Sequence, residues 1–292
     1  MNKFTGTGVA LVTPFKEDLS VDHEALASVV EFNIDNGIDY LVISGTTGES
    51  ATISQTEKRE ITATIKKINN GRLPLVLGIG GNNTAALIKE IESTDFSGID
   101  AILSVSPYYT KPTQEGIYQH YRAISSVSPL PIILYNVPGR TMSNMLPETT
   151  LRLGRDFENI IAVKEAGNNM QQYLQLLKDK PDDFMIISGD DDLVLGMVLA
   201  GGSGVISVIG QAFPKQFSDM IRLGLENNAK DAYALHYKLM DIVSYIFAEN
   251  NPAGIKAVLS ERGLCKDLVR LPLVPATQDL KKKISKFIES FK

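Results

Sequence analysis

The feature that most constrains this 292-residue chain is a repeated alternation: a short apolar run, then a longer amphipathic stretch, eight times over. The short runs are Val9–Val12, Tyr40–Ile43, Leu75–Gly78, Ala101–Val105, Ile132–Tyr135, Ile160–Lys164, Met185–Ser188 and Gly204–Ser207. They are apolar on both parities, as expected of parallel strands covered on both faces. Between them the apolar spacing is helical. Asp22–Asn36 presents Leu26, Val29, Val30 and Ile34 on one side, with Gly37 as a stop. Thr56–Asn69 repeats the form with Ile61, Ile65 and Ile68, and Pro147 opens another helix where a missing N–H costs nothing. Eight strands alternating with helices within about 210 residues predict an α/β fold, the closed (β/α)8 or TIM barrel. An open doubly wound sheet is the alternative, but Thr13-Pro14-Phe15 after the first strand is not a glycine-rich phosphate turn. Strand signals stop near Asn227. The reading is a barrel over 1–226 and a C-terminal helical extension over 227–292, with helices at Ala229–Glu249, Ile255–Glu261 and Asp279–Phe291.

Composition narrows the class. Apolar residues make up 43% and charged residues 22%, with a net charge of −5, which suits a soluble globular protein. No basic stripe interleaved with aromatics points to nucleic acid. Cys265 is the single cysteine, so no intrachain disulfide forms and a cytoplasmic location is expected. The first fifteen residues lack a basic region followed by an apolar run, so no signal peptide is expected. Leu193–Gly210 is uncharged and long enough to suggest a membrane helix. The glycines at 201, 202 and 204 and the β-branched run behind them favour a buried helix, a turn and a buried strand.

In such barrels reactive groups sit where the strands end, because the following loops build the pocket. Unusual residues fall there repeatedly: Gly45–Ser50, Pro107-Tyr108-Tyr109, Tyr135–Arg140, Lys164-Glu165 and Ser188-Gly189-Asp190. Taken singly, a strand-end lysine such as Lys164 is more often a solvated terminus. At a pocket face, apolar walls favour the neutral, nucleophilic form of an amine, which condenses with a ketone and then serves as an electron sink. Tyr135 ends the neighbouring strand. It is either a core tyrosine bonded to a carbonyl or the phenol that passes protons during imine formation. Thr46 can pair with it, since a hydroxyl donates and accepts; the plain alternative for Thr46-Thr47 is a tight turn, with the next helix capped by Ser54 or Thr56. The guanidinium fork of Arg140 suits a carboxylate. Asp190-Asp191-Asp192 reads as a helix cap rather than a metal site. His23, His120 and His236 lack ligand spacing, and neither a metal nor an organic cofactor is expected. Gly201–Gly204 precedes a strand and reads as a turn, although Ile206 beyond it can offer backbone groups to a ligand carboxylate.

Together, Gly45-Thr46-Thr47-Gly48-Glu49, Tyr135-Asn136-Val137-Pro138 and Lys164-Glu165, in that order, resemble the pyruvate-dependent class I aldolase family that contains N-acetylneuraminate lyase. Arg140-Thr141 and Ser106-Pro107-Tyr108-Tyr109 look like its 4-hydroxy-tetrahydrodipicolinate synthase (dihydrodipicolinate synthase) branch, and the resemblance runs from Gly8 to Pro272. It implies that Lys164 forms the Schiff base, and that Tyr135 relays protons with Thr46 and with Tyr109 from a partner subunit. It implies that Thr47, Gly189 and Ile206 surround the pyruvate carboxylate and that Arg140 receives the carboxylate of L-aspartate 4-semialdehyde. The implied reaction condenses the two substrates and cyclises the product, toward lysine or diaminopimelate. The implied assembly is a homotetramer of tight dimers.

The chain departs from the family pattern in two respects. Lysine-inhibited members carry histidines after the Glu49–Ala51 stretch and a glutamate in the following loop, where this chain has Gln55, Lys58 and Ala86. A cationic effector there loses its counter-charge and meets Lys58, so inhibition by lysine is expected to be weak or absent. Gly254 replaces a frequent proline after Asn251-Pro252. Two other functions compete: an aldolase for a sugar acid, which has no use for Arg140, and a non-catalytic barrel that binds pyruvate or an amino acid.

Overall fold

The computed structural model describes residues 3–291. Eight parallel strands close in sequence order into a barrel: β1 (Gly6–Ala10), β2 (Tyr40–Ile43), β3 (Leu75–Gly78), β4 (Ala101–Val105), β5 (Ile132–Asn136), β6 (Ile160–Glu165), β7 (Met185–Ser188) and β8 (Gly204–Ser207). Five of them have the bounds expected from the sequence, and β5 and β6 run one residue further. The exception is β1, expected at Val9–Val12. Gly6 and Gly8 are poor strand formers, yet Gly6–Val9 pair with Gly204–Ser207, while Val12 bonds to a side chain, its N–H donating to Gln211 Oε1 at 2.9 Å.

Side chains alternate across each strand and sort into two cores. Ala10, Tyr40, Val42, Val76, Leu103, Ile133, Ala162, Ile187 and Ile206 fill the barrel. Val9, Leu41, Ile43, Leu77, Ile102, Leu134, Val163, Ile186 and Val205 face the helices outside. Tyr40 spans the interior, its hydroxyl donating to Val205 O at 3.0 Å with Phe4 edge-on beneath at 5.6 Å. The interior around Tyr40 is therefore packed rather than a pore.

Local signals set the helices. Asp22 caps His23–Asp35, and Ser54 with Glu57 forms a full capping box for Gln55–Asn69. Pro147 occupies the first turn of Pro147–Asp156. The uncharged Leu193–Gly210 resolves into helix Val194–Leu199, a turn and β8, and among the described residues no helix is long and apolar enough to cross a membrane. Helices Ala229–Ala248, Ala253–Glu261 and Gln278–Ser290 follow the last barrel helix, Pro214–Leu225. Phe213 locks the last of them in place, edge-on to Phe287 and Phe291 at 6.1 and 5.0 Å.

Closure happens where β8 meets β1. Gly204 has φ +133°, and a Cβ there would lie 2.0 Å from the Gly6 carbonyl oxygen. Gly204→Ala is expected to destabilise the fold by at least about 2 kcal/mol, because backbone strain and overpacking are each worth roughly 1–3 kcal/mol. Chemical unfolding monitored by circular dichroism measures it.

Candidate active site

The alternation that builds the core also builds the site. On β5, Ile133 and Tyr135 point inward while Leu134 and Asn136 point outward; on β6, Ala162 and Lys164 point inward while Val163 and Glu165 point outward. Tyr135 and Lys164 are register partners across the two strands. The Lys164 ammonium nitrogen stands 4.5 Å from the centre of the Tyr135 ring, and both side chains are buried. They open into a cavity of about 900 Å³ at the C-terminal mouth of the barrel, roomy enough for two small metabolites.

Thr46, Thr47, Arg140 and Gly189 line the same cavity. Thr47 is buried and its hydroxyl accepts from Asn251 Nδ2 at 2.9 Å. Arg140 sits on the one-turn helix Pro138–Thr141 at the rim, its Nη2 donating to Asn250 Oδ1 at 3.3 Å and Asn251 O at 3.4 Å. Gly189 leaves space for the lysine stem, since a Cβ there would approach Lys164 Cε to 2.8 Å. Ile206 lies deeper, fully buried in the barrel interior and off the cavity wall. Tyr109 is not brought to this cavity at all. It is 86% exposed, on a loop whose backbone is left-handed at Tyr109 (φ 70°) and Lys111 (φ 47°).

Behind the lysine runs a buried acidic seam. Glu165 accepts from Asn136 Nδ2 at 2.9 Å and Gln172 Nε2 at 2.9 Å, and burial nonetheless pushes its carboxyl up to about 7. Asp190 accepts from Asn168 N–H and from the Tyr173 hydroxyl, and burial raises it too. The expectation that Asp190–Asp192 cap a helix is corrected here. Helix Val194–Leu199 has no side-chain cap; Asp191 instead accepts from the N–H groups of Val208 and Ile209, fixing the chain beyond β8, with burial pushing its carboxyl up to about 6. Those amides open the short 3-10 helix Ile209–Gln211 beyond β8, where the first N–H groups have no backbone partner, and the carboxylate satisfies them. Among the described residues no three His, Cys, Asp or Glu side chains gather as a metal site.

Asn250 and Asn251 carry no functional motif in the sequence, and Asp191 reads there only as part of a cap. Asn251 drew notice only for the glycine that follows its proline, although it touches Thr47 and Arg140 across the mouth. Its one available signal is a polar pair just before Pro252–Leu259, a segment apolar but for Lys256. A second cavity of about 470 Å³ lies on the far side of Thr46, Tyr135 and Arg140. Gln55 and Lys58 line it, and the Lys58 ammonium is paired with Glu90 at 2.7 Å.

The seam makes stability depend on pH. An unfolded glutamate releases its proton near 4.5, whereas folded Glu165 holds it to about 7. The folded state thus binds the extra proton in that window, and the stability Glu165 contributes falls as pH rises through it. Relative to the parent, Glu165→Gln is expected to gain up to about 3 kcal/mol between pH 4.5 and pH 8. Urea unfolding of both proteins at the two pH values measures the change.

Comparison with known proteins places this geometry. Residues 3–291 match the model of the dihydrodipicolinate synthetase family. The 4-hydroxy-tetrahydrodipicolinate synthase of Flavobacterium psychrophilum is 58% identical over 287 residues, 98% of each chain. Among solved structures, the dihydrodipicolinate synthase of Thermotoga maritima superposes with a TM-score of 0.96 at 37% identity, covering 99% of both chains. A monomeric dihydrodipicolinate synthase variant gives 0.95 at 37% identity, over 98% of this chain and 96% of that one. With the family model matched over nearly the whole chain and a 58% identical relative covered almost end to end, the chain belongs to the dihydrodipicolinate synthetase family.

Proposed function

We propose that Lys164 is the Schiff-base lysine of an enzyme that condenses pyruvate with L-aspartate 4-semialdehyde to give 4-hydroxy-tetrahydrodipicolinate, in lysine and diaminopimelate biosynthesis. The single observation that carries the assignment is the register pairing that sets the Lys164 nitrogen 4.5 Å from the Tyr135 ring centre inside the mouth cavity.

The amine attacks the pyruvate ketone, and the carbinolamine loses water to leave an iminium. That iminium withdraws electrons from the adjacent methyl, which gives up a proton. Both steps need a group that hands protons over at short range, and Tyr135 with Thr46 beside it serves. The resulting enamine carbon attacks the aldehyde. The amino group of the second substrate then displaces Lys164 from the imine carbon, closing the ring and freeing the enzyme. The Thr47 hydroxyl, which accepts from Asn251 and keeps its own proton to donate, holds the pyruvate carboxylate beside Gly189, while Ile206, off the cavity wall, packs the barrel beneath. Arg140 at the rim holds the carboxylate of the aldehyde, steadied by Asn250 and Asn251. The reaction needs no metal and no organic cofactor, because the imine is itself the electron sink.

Tyr109 completes the relay of a neighbouring copy. Its exposure and the left-handed turn that presents it support this, since such backbone costs energy that a subunit contact can offset. The assembly is a homotetramer of tight dimers, acting in the cytoplasm, where the single Cys265 stays reduced. Residues 227–292 act as an extension of the 1–226 barrel and wall one side of its mouth.

Incubation with pyruvate and borohydride is expected to add one reduced pyruvate to Lys164, seen by mass spectrometry and absent in Lys164→Ala. Arg140→Ala is expected to keep the adduct and lose turnover of aspartate semialdehyde at least about a hundredfold, as for a lost charge-assisted bidentate contact. An adduct with turnover only on a sugar acid would instead identify the other aldolase; no adduct would leave a binding barrel. Lysine is expected to inhibit weakly or not at all, since Lys58 is paired with Glu90 and position 86 offers no carboxylate. A submillimolar inhibition constant in a steady-state assay would contradict this.

A further inference from the structure

The Thr46-Thr47 turn is held by a device whose other half lies more than two hundred residues away. Glu49 and Lys256 are both buried and form an ion pair at 2.5 Å. The second carboxylate oxygen of Glu49 accepts from Arg270 N–H at 2.9 Å, and Lys256 also donates to Leu268 O at 2.7 Å. Phe15, fully buried in the loop after β1, lies between two cations, with Lys256 Nζ 4.1 Å and the Arg270 guanidinium 4.5 Å from its ring centre. Arg270 also donates to Thr52 O at 2.9 Å and pairs with Glu57 at 2.5 Å. On the barrel side, the Thr13 hydroxyl donates to Gly48 O at 2.7 Å. The turn 45–52 is thus tied at both ends, and Glu49 itself has left-handed backbone (φ 58°).

For stability alone such a pair is a poor choice. A buried ion pair often gains little over apolar packing of the same volume, while it fixes geometry strictly. Helix Ala253–Glu261 is otherwise apolar from Ala253 to Leu259, so an apolar residue at 256 would fit its surroundings.

We propose that the Glu49–Lys256 pair is a positioning device for the reaction, through which the C-terminal extension fixes Thr46 against Tyr135 and Thr47 against the pyruvate carboxylate. Neither residue lines the cavity that holds Lys164; both act through the threonines. The inference rests on the roles given to those threonines above.

Glu49→Gln keeps the side chain's volume and an acceptor for Arg270 N–H but removes the charge. Lys256→Met removes the other charge. Each, shown folded at the assay temperature by circular dichroism, is expected to lower kcat at least tenfold and to raise KM for pyruvate; if Lys256→Met fails to fold, Glu49→Gln carries the test. A structural role alone would not predict the second readout. In a Thr46→Val background, Glu49→Gln is expected to lower kcat by less than a further twofold, because the pair acts through Thr46. Glu49→Gln with kcat within twofold of the parent, or a loss that multiplies in full with Thr46→Val, would overturn the proposal. Full activity in Thr46→Val alone would instead remove the relay role of Thr46, leaving the pair to be judged on the tenfold criterion and the rise in pyruvate KM through Thr47.

Discussion

The close approach of β8 to β1 is the constraint on which everything else rests. Gly6 and Gly204 face each other across the seam with left-handed backbone at both, and no side chain fits between them. Open at that point, the sheet would be an eight-stranded ribbon with two unpaired edges, and the interior layer around Tyr40 would have no opposite wall. Closed, it sets the tilt and stagger of every strand, and so decides which strand ends share the mouth. Residues from β2, β5, β6 and β7 converge there because the ring is complete, not because they attract one another.

Burial then gives that mouth its character. Lys164 rises from a packed barrel floor, while the outward-facing residues next to it on β6 and β7 enter a seam of carboxylates, amides and a tyrosine hydroxyl. One residue along the strand changes the medium from cavity to protein interior. The Lys164 amine and the Glu165 carboxyl are therefore on opposite faces of the sheet, with the backbone between them as a rigid partition, while Asp190 and Asp191 border the cavity itself.

Much of the barrel was legible in the sequence because period and turn chemistry are local. Tyr40–Ile43 or Met185–Ser188 can be little else but buried strands, and Ser54 with Glu57 marks a helix start on its own. β1 was misplaced for the same reason in reverse: two glycines hide strand pairing that only the β8 partner reveals. The inward direction of Lys164 and Tyr135 has no signature in strands that are apolar on both parities, and it emerges only with the closed barrel. The contacts of Asn251 to Thr47, Asp191 to the amides beyond β8, and Lys256 to Glu49 had no local signature. The first and last join segments more than two hundred residues apart, and three aspartates in a row look like a cap until the chain folds. Tyr109 stands apart again, since its surroundings in one chain are solvent.

The register match between Tyr135 and Lys164 has an evolutionary reading. Chemistry at this mouth is written in backbone hydrogen bonds, which tolerate almost no drift without emptying the core. On the function proposed above, recognition of the second substrate is written elsewhere, on the four-residue helix that carries Arg140 and on asparagines from the chain's last quarter. Mutation can rework that rim while the Tyr135–Lys164 register pair stays untouched. A lineage carrying this architecture inherits a fixed reaction and an adjustable appetite.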